Sequence, residues 1–219
     1  MRGLLLVSLL IGCSRSHMRT PGSFRHLSGA ADQYDPSRPE VAITESEMTV
    51  APPARAGGGE DIAAGAAKLL GKRRLEVGEQ SFRYDCSGMV CAAYATTGQR
   101  LSGSSKSLYE EAVGAGILHT ERLPRPGDIA FFDNSYDRNN NRRRDDELTH
   151  VALVESVDEA GTITLIHLGS GTVGRIQMNL LRPNDASVNS YLRAPSDRDG
   201  GPRLTGELWR AFGSFWALR

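Results

Sequence analysis

Apolar positions change spacing along the chain, and each spacing predicts a different kind of element. Leu4 to Gly12 is one short apolar run behind Arg2. From residue 14 to about 58 the chain is rich in Ser, Pro, Gly, Ala and charge, with no apolar period. Ile62, Ala66, Leu69 and Leu70 then recur at helical spacing over Asp61 to Leu70, with Gly71 at the expected stop. A small, apolar stretch over 86–97 predicts a second helix ending at Gly98. Ser107-Leu108-Tyr109-Glu110 has capping-box spacing, and a third helix is expected over roughly 105–115. Beyond it the period shortens to that of strands, at about 128–132, 150–157, 162–168, 173–180 and 189–193. Helices first and strands after predict an α+β fold rather than alternating βαβ units. The tail, Leu204 to Arg219, carries both Trp residues, and Leu208, Phe212, Phe215 and Trp216 can share one helix face.

These spacings divide the chain into a leader over 1–12, a flexible tether over 13–58, a domain over 59–195 and an aromatic tail over 196–219. The leader is too short to cross a membrane as a helix and fits a secretory signal. It ends Leu10-Ile11-Gly12-Cys13, similar to a bacterial lipobox, which implies cleavage before Cys13 and lipidation of that residue. Ser14 supplies no acidic inner-membrane retention signal, so an outer-membrane lipoprotein facing the periplasm is expected. Lys plus Arg number 26 and Asp plus Glu also 26, a balance without the basic footprint of a nucleic-acid binder.

The candidate chemistry starts at Tyr84-Asp85-Cys86-Ser87-Gly88. Asp85 is a plausible N-cap, which sets Cys86 at a helix start, where unpaired N–H groups and the helix dipole favour a thiolate. Cys91 lies five residues on along the same helix, so the two cannot readily bridge, and Cys91 reads as core. A free Cys86 in an exported protein is better explained by catalysis than by a staple. Two His-bearing runs support that reading. Thr149-His150-Val151-Ala152-Leu153-Val154 and Thr162-Ile163-Thr164-Leu165-Ile166-His167 flank the turn-like Asp158-Glu159-Ala160-Gly161. If 157 pairs with 162, His150 faces Gly169 and His167 sits on the diagonal of the same sheet face. A bulge at Gly161 would break that alignment. Cys86 would then be the nucleophile, His150 its base and later acid, and His167 the group that fixes the His150 tautomer. The backbone N–H of Cys86 is a candidate oxyanion donor.

Asp85-Cys86-Ser87-Gly88-Met89-Val90, then Arg125-Pro126-Gly127-Asp128-Ile129-Ala130-Phe131-Phe132, then Thr149 to Val154 and His167, together resemble the NlpC family of cell-wall cysteine peptidases. The resemblance covers about residues 60–195. It implies a papain-like α+β fold and hydrolysis of peptidoglycan stem peptides, often between D-glutamate and a diamino acid. It also implies peptidoglycan peptides as partners and no obligatory cofactor. One stretch departs from the family. Where a Tyr-x-x-Gly-Gly segment usually supplies an oxyanion Tyr, this chain has Arg73-Arg74-Leu75-Glu76-Val77-Gly78, with Arg74 near the Tyr position. Tyr84 is the substitute at hand. The departure leaves open a rearranged oxyanion hole, a non-catalytic lipoprotein that binds cell-wall peptides, and an acyltransferase using the same thioester.

Asp133 to Glu147 interrupts the pattern just before His150. Asp137, Asn139, Asn141 and Asp145 copy positions 1, 3, 5 and 9 of an EF-hand-type loop. Arg142 stands at the usual Gly, Leu148 at the usual Glu, and Arg138, Arg142, Arg143 and Arg144 weaken the field for calcium. Calcium binding and a solvated mixed-charge loop both remain open here. In either case the loop ends at His150 and is expected to border the substrate cleft as a specificity lid.

Overall fold

The computed structural model describes residues 58–143, 145–169, 171–193 and 201–218. The leader, Cys13 and the tether up to residue 57 lie outside the described residues. The order is α1 (Gly58–Ala67), β1 (Leu75–Val77), β2 (Gln80–Phe82), α2 (Cys86–Ala95), α3 (Ser105–Gly114), β3 (Leu118–His119), β4 (Ile129–Phe132), β5 (His150–Val157), β6 (Ile163–Leu168), β7 (Val173–Met178), α4 (Thr205–Leu208) and β8 (Trp209–Gly213). A 3-10 turn over Phe215–Ala217 follows. Apart from the small β1–β2 hairpin and the short α4, helices precede strands, as in the α+β fold expected from the sequence.

Six strands form one antiparallel sheet in the order β3-β8-β4-β5-β6-β7, and β1 and β2 form a separate hairpin. Period-2 alternation splits the core. Val151, Leu153 and Ile166 face Ile62, Met89, Val90 and Tyr94 from α1 and α2. Ala152, Val154 and Leu165 face the other way, against Met178, Leu180, Leu208 and Phe212. With both faces covered, β5 reads as a nearly continuous apolar run rather than a clean alternation.

Three expectations change. Residues 209–213, expected as part of a helical tail beyond the domain, are a strand buried inside the sheet. Phe212 pairs with Ala130 on one side and His119 on the other. Only four residues of the expected helix form, Thr205–Leu208, because the segment after them gains pairing with β4, and with β3 at Phe212 and Gly213, and two faces of core in the strand. The strand expected over 189–193 reduces to a single bridge between Tyr191 and Leu204. The cap of α3 is Ser104, whose hydroxyl accepts from the Ser107 N–H while the Ser107 hydroxyl accepts from the Ser104 N–H.

The C-terminal segment is locked from the core. Asp128 is fully buried, and its Oδ1 accepts from Ser214 Oγ and Trp216 Nε1, each at 2.7 Å. Its Oδ2 accepts from the Arg125 N–H at 2.8 Å and lies 3.3 Å from His119 Nε2. The Tyr94 hydroxyl, from α2, donates to the Gly127 carbonyl at 2.8 Å. The Pro126-Gly127-Asp128 turn thus joins α2 to the C-terminal residues.

Candidate active site

Asp85 caps α2. Its Oδ1 accepts from the Gly88 N–H at 2.7 Å and from Ser87 Oγ at 2.9 Å, and its Oδ2 pairs with Arg83 Nε at 3.2 Å. Gly88 is required where it stands: a β-carbon there would lie 1.9 Å from the Arg83 carbonyl oxygen, so only glycine lets residues 83–85 wrap the helix start. Cys86 becomes the first helical residue, half-buried, next to Val151 of β5.

The two histidines come from neighbouring strands. Leu153 pairs with Ile166 and Val154 with Leu165, a register that sets position 150 against 169. Nearer the turn the register differs by one, with Val157 opposite Ile163. Gly161 takes φ +76° and its N–H bonds the Asp158 carbonyl at 3.0 Å, the three-residue loop closed by a left-handed residue. A second irregularity between Val154 and Ser156 returns the strands to the register the site needs. His150 Nε2 and His167 Nδ1 then lie 3.0 Å apart, with the rings edge to face.

Cys86, His150 and His167 line one open cleft of about 910 Å³. Its walls also include Tyr84, Asp85, Ser135, Tyr136 and Thr149 from the nearby loops, and Tyr191 to Arg193 from the segment before residue 194. The second group escaped sequence reasoning, because Tyr191 to Arg193 read as one more strand.

Burial dominates the electrostatics. It pushes the Cys86 thiol above its ordinary value of 9.0. Backbone N–H bonds from Val151, Ser87 and Cys86 itself pull the other way, and the Asp85 carboxylate adds to the rise. Burial, with the neighbouring His167, pulls His150 down to about 3, and burial pulls His167 down to about 4. Both shifts favour a neutral thiol beside a neutral imidazole over an ion pair. Desolvation of the half-buried sulfur thus works against the thiolate that the helix dipole, worth roughly 1 kcal/mol, favours.

Tyr84 is not aimed at an oxyanion. Its hydroxyl lies 2.8 Å from the Lys72 carbonyl and 2.9 Å from the Gly171 carbonyl, so its proton is spent tying two loops together. Arg74 does not line the cleft; it belongs to a different pocket. The donors beside the sulfur are the backbone N–H groups of Cys86, Ser87 and Val151.

In the loop before His150, the Asp137 carboxylate accepts from the Asn141 N–H at 3.2 Å and the Arg142 N–H at 2.7 Å. Asn139 Oδ1 accepts from the Asn141 N–H at 2.9 Å, and Asn141 Nδ2 donates to Asp145 at 3.3 Å. The four expected ligand side chains are thus turned on the loop's own polar groups. Among the described residues no group of three or more His, Cys, Asp or Glu side chains is placed to hold a metal ion. Ser135 bonds Thr149 through both its N–H, at 2.9 Å, and its hydroxyl, at 2.8 Å, which ties the loop to the residue before His150.

Residues 78–168 match the sequence model of the CHAP domain, a papain-like cysteine amidase and peptidase family, and the matched span contains Cys86, His150 and His167. No curated protein matches the chain. Among solved structures, the chain is similar to a Staphylococcus aureus protein described as similar to a lipoprotein of the NLP/P60 family, with 19% identity and a TM-score of 0.41. The likeness covers 78% of this chain, which spans 45% of that protein.

Proposed function

We propose that the chain, with the CHAP pattern over residues 78–168, is an exported thiol hydrolase of peptidoglycan stem peptides, held to the envelope by a lipid on Cys13. The observation that carries this reading is one cleft holding a helix-start cysteine and two bonded histidines, 3.0 Å apart.

The proton path follows from the bond between the two rings. His150 Nε2 is occupied by His167, so Nδ1 is the nitrogen left to exchange with Cys86. For Nδ1 to accept, Nε2 must carry a proton and donate it to His167 Nδ1. Cys86 Sγ attacks the amide carbonyl as its proton passes to His150 Nδ1. The new imidazolium is held by a neutral His167 rather than by a carboxylate. The carbonyl oxygen gains charge beside the backbone N–H groups of Cys86 and Ser87. His150 then returns the proton to the leaving nitrogen, the C–N bond breaks, and a thioester remains. Water, deprotonated by the same Nδ1, attacks the thioester and releases a carboxylic acid and the thiol. In this path charge separates as the sulfur attacks, where the N–H groups stabilise it. The reaction as written draws on no cofactor.

The test is incubation of the full chain with purified muropeptides, followed by mass spectrometry. New stem-peptide fragments that vanish in Cys86→Ala support hydrolysis. Binding without turnover would replace it with a peptide-binding lipoprotein, and new amide adducts with an acyltransferase.

A further inference from the structure

A second pocket, of about 520 Å³, opens between the end of α1, the β1–β2 hairpin and the end of α2. Leu69, Val77 and Thr96 line it together with four cationic side chains, Lys68, Lys72, Arg73 and Arg74, and one acid, Glu76. All four cations are exposed, and among the described residues none of them pairs with a carboxylate. The helix dipole does not account for the cluster. The last turn of α1 holds no basic residue, the dipole effect fades beyond that turn, and only Lys68 adjoins it. Lys68 and Lys72 stand four residues apart and Arg73 adjoins Arg74, so the cations repel one another unless an anion lies among them.

Arg73 and Arg74 occupy the stretch where the family resemblance leads one to expect the oxyanion tyrosine. Here they line this pocket instead of the thiol cleft. The two sites share a wall. The Gly71 N–H donates to the Val173 carbonyl at 2.9 Å, and the Tyr84 hydroxyl bridges Lys72 and Gly171. Tyr84 and Gly171 line the cleft, and Lys72 lines the pocket.

We infer that the pocket formed by Lys68, Lys72, Arg73 and Arg74 is a binding site for a multiply charged phosphate group, separate from the thiol cleft and adjoining it. A carboxylate brings one charge to four cations, whereas a phosphate monoester or pyrophosphate brings about two per group and more acceptor oxygens. Paired arginine forks suit phosphate oxygens, and lysines add point charge. Glu76 on the wall disfavours an anion that fills the whole cavity and leaves the arginine and lysine side for it. The phosphate can belong to an anionic lipid headgroup or to a soluble phosphate compound. The site does not depend on the hydrolase reading.

The test uses the full chain at low ionic strength with two probes. Inorganic pyrophosphate is titrated calorimetrically. Vesicles of phosphatidic acid, whose headgroup is a phosphate monoester, in phosphatidylcholine are compared with pure phosphatidylcholine by co-sedimentation. The variants are Arg73→Gln/Arg74→Gln and, as a control on a remote cation, Lys106→Gln. Pyrophosphate binding that weakens at least about tenfold in the double variant, with Lys106→Gln unchanged, supports a soluble phosphate ligand. Retention on anionic vesicles lost in the double variant, without pyrophosphate binding, supports a headgroup. Equal behaviour of wild type and double variant toward both probes overturns the inference. Lys68→Gln/Lys72→Gln serves the same purpose if the arginine variant does not fold.

Discussion

Gly169 lies against the ring of His167: a β-carbon on it would stand 2.8 Å from Cε1 and 3.3 Å from Nε2. Any side chain at 169 must push the imidazole that holds His150, and the 3.0 Å bond between the two rings would be lost or bent. Gly169→Ala is expected to lower kcat by about 10- to 100-fold with little change in KM, since misplacement near 1 Å has that scale of effect. Steady-state kinetics on a muropeptide, with a thermal melt to show folding, checks it. An unchanged kcat would remove His167 from the mechanism.

Burial pushes the Cys86 thiol up, so its alkylation should reveal no acidic thiolate. Iodoacetamide should react with Cys86 slowly at pH 7, with the rate rising through an inflection above the ordinary thiol value of 9.0. A plateau already reached at pH 6 would instead report a preformed ion pair.

Acid should destabilise the fold through the same two rings. Both folded values lie below the unfolded 6.5, at about 3 and about 4, so the unfolded state binds protons first as pH falls. The stability contributed by the neutral pair is complete above pH 6.5 and is lost as pH falls toward 4 and then 3. The expected loss by pH 4 is on the order of 3 kcal/mol for each ring, from about 1.4 kcal/mol per unit below the unfolded value. Denaturant melts from pH 7 to 4 should show a shallower decline in His150→Gln/His167→Gln than in the wild type. Equal slopes would assign the acid sensitivity to carboxylates elsewhere.

Asp128→Asn removes a buried charge that accepts from Ser214, Trp216 and the Arg125 backbone and faces His119. An amide cannot accept at both positions. The expected cost is about 3 kcal/mol, typical of breaking a buried charged network, read from the shift in denaturation midpoint. A shift under about 1 kcal/mol would show that this network does not hold the C-terminal segment.

Arg210, on β8, reaches Asp133 at 3.0 Å and Glu147 at 3.4 Å, the two ends of the loop that precedes His150. Asp133 also accepts from the Leu148 N–H at 2.6 Å. Deleting residues 134–146 should change the ranking of stem peptides, and Arg210→Gln should change it in the same direction by about 3- to 10-fold. Identical rankings in all three proteins would exclude the loop as a specificity lid.

Much of the site could be read from local signals. Asp85 before Cys86 forecasts the cap because a side-chain oxygen there has one nearby use, the orphan N–H groups of α2. The His150–His167 neighbourhood followed from β periodicity, although two compensating irregularities, at Gly161 and near Glu155, lay behind a register that looked simple. What escaped was non-local. Trp209 to Gly213 carries an apolar pattern compatible with a helix, and only its pairing with β3 and β4 makes it a strand. The upward push of burial on the thiol also escaped, because burial depends on what packs around a helix start and not on its sequence.

The position of β8 orders assembly in time. Its partners β3 and β4 are complete once residue 132 is made, yet they cannot close into one sheet until residues 209–213 arrive and slide between them. Until then the two strands expose unmatched edges, and the turn before β4 lacks the Ser214 and Trp216 donors that fix Asp128. The six-stranded sheet therefore reaches its full width only when this late segment is in place, although the β5–β6 pair that carries both histidines borders α2 without it.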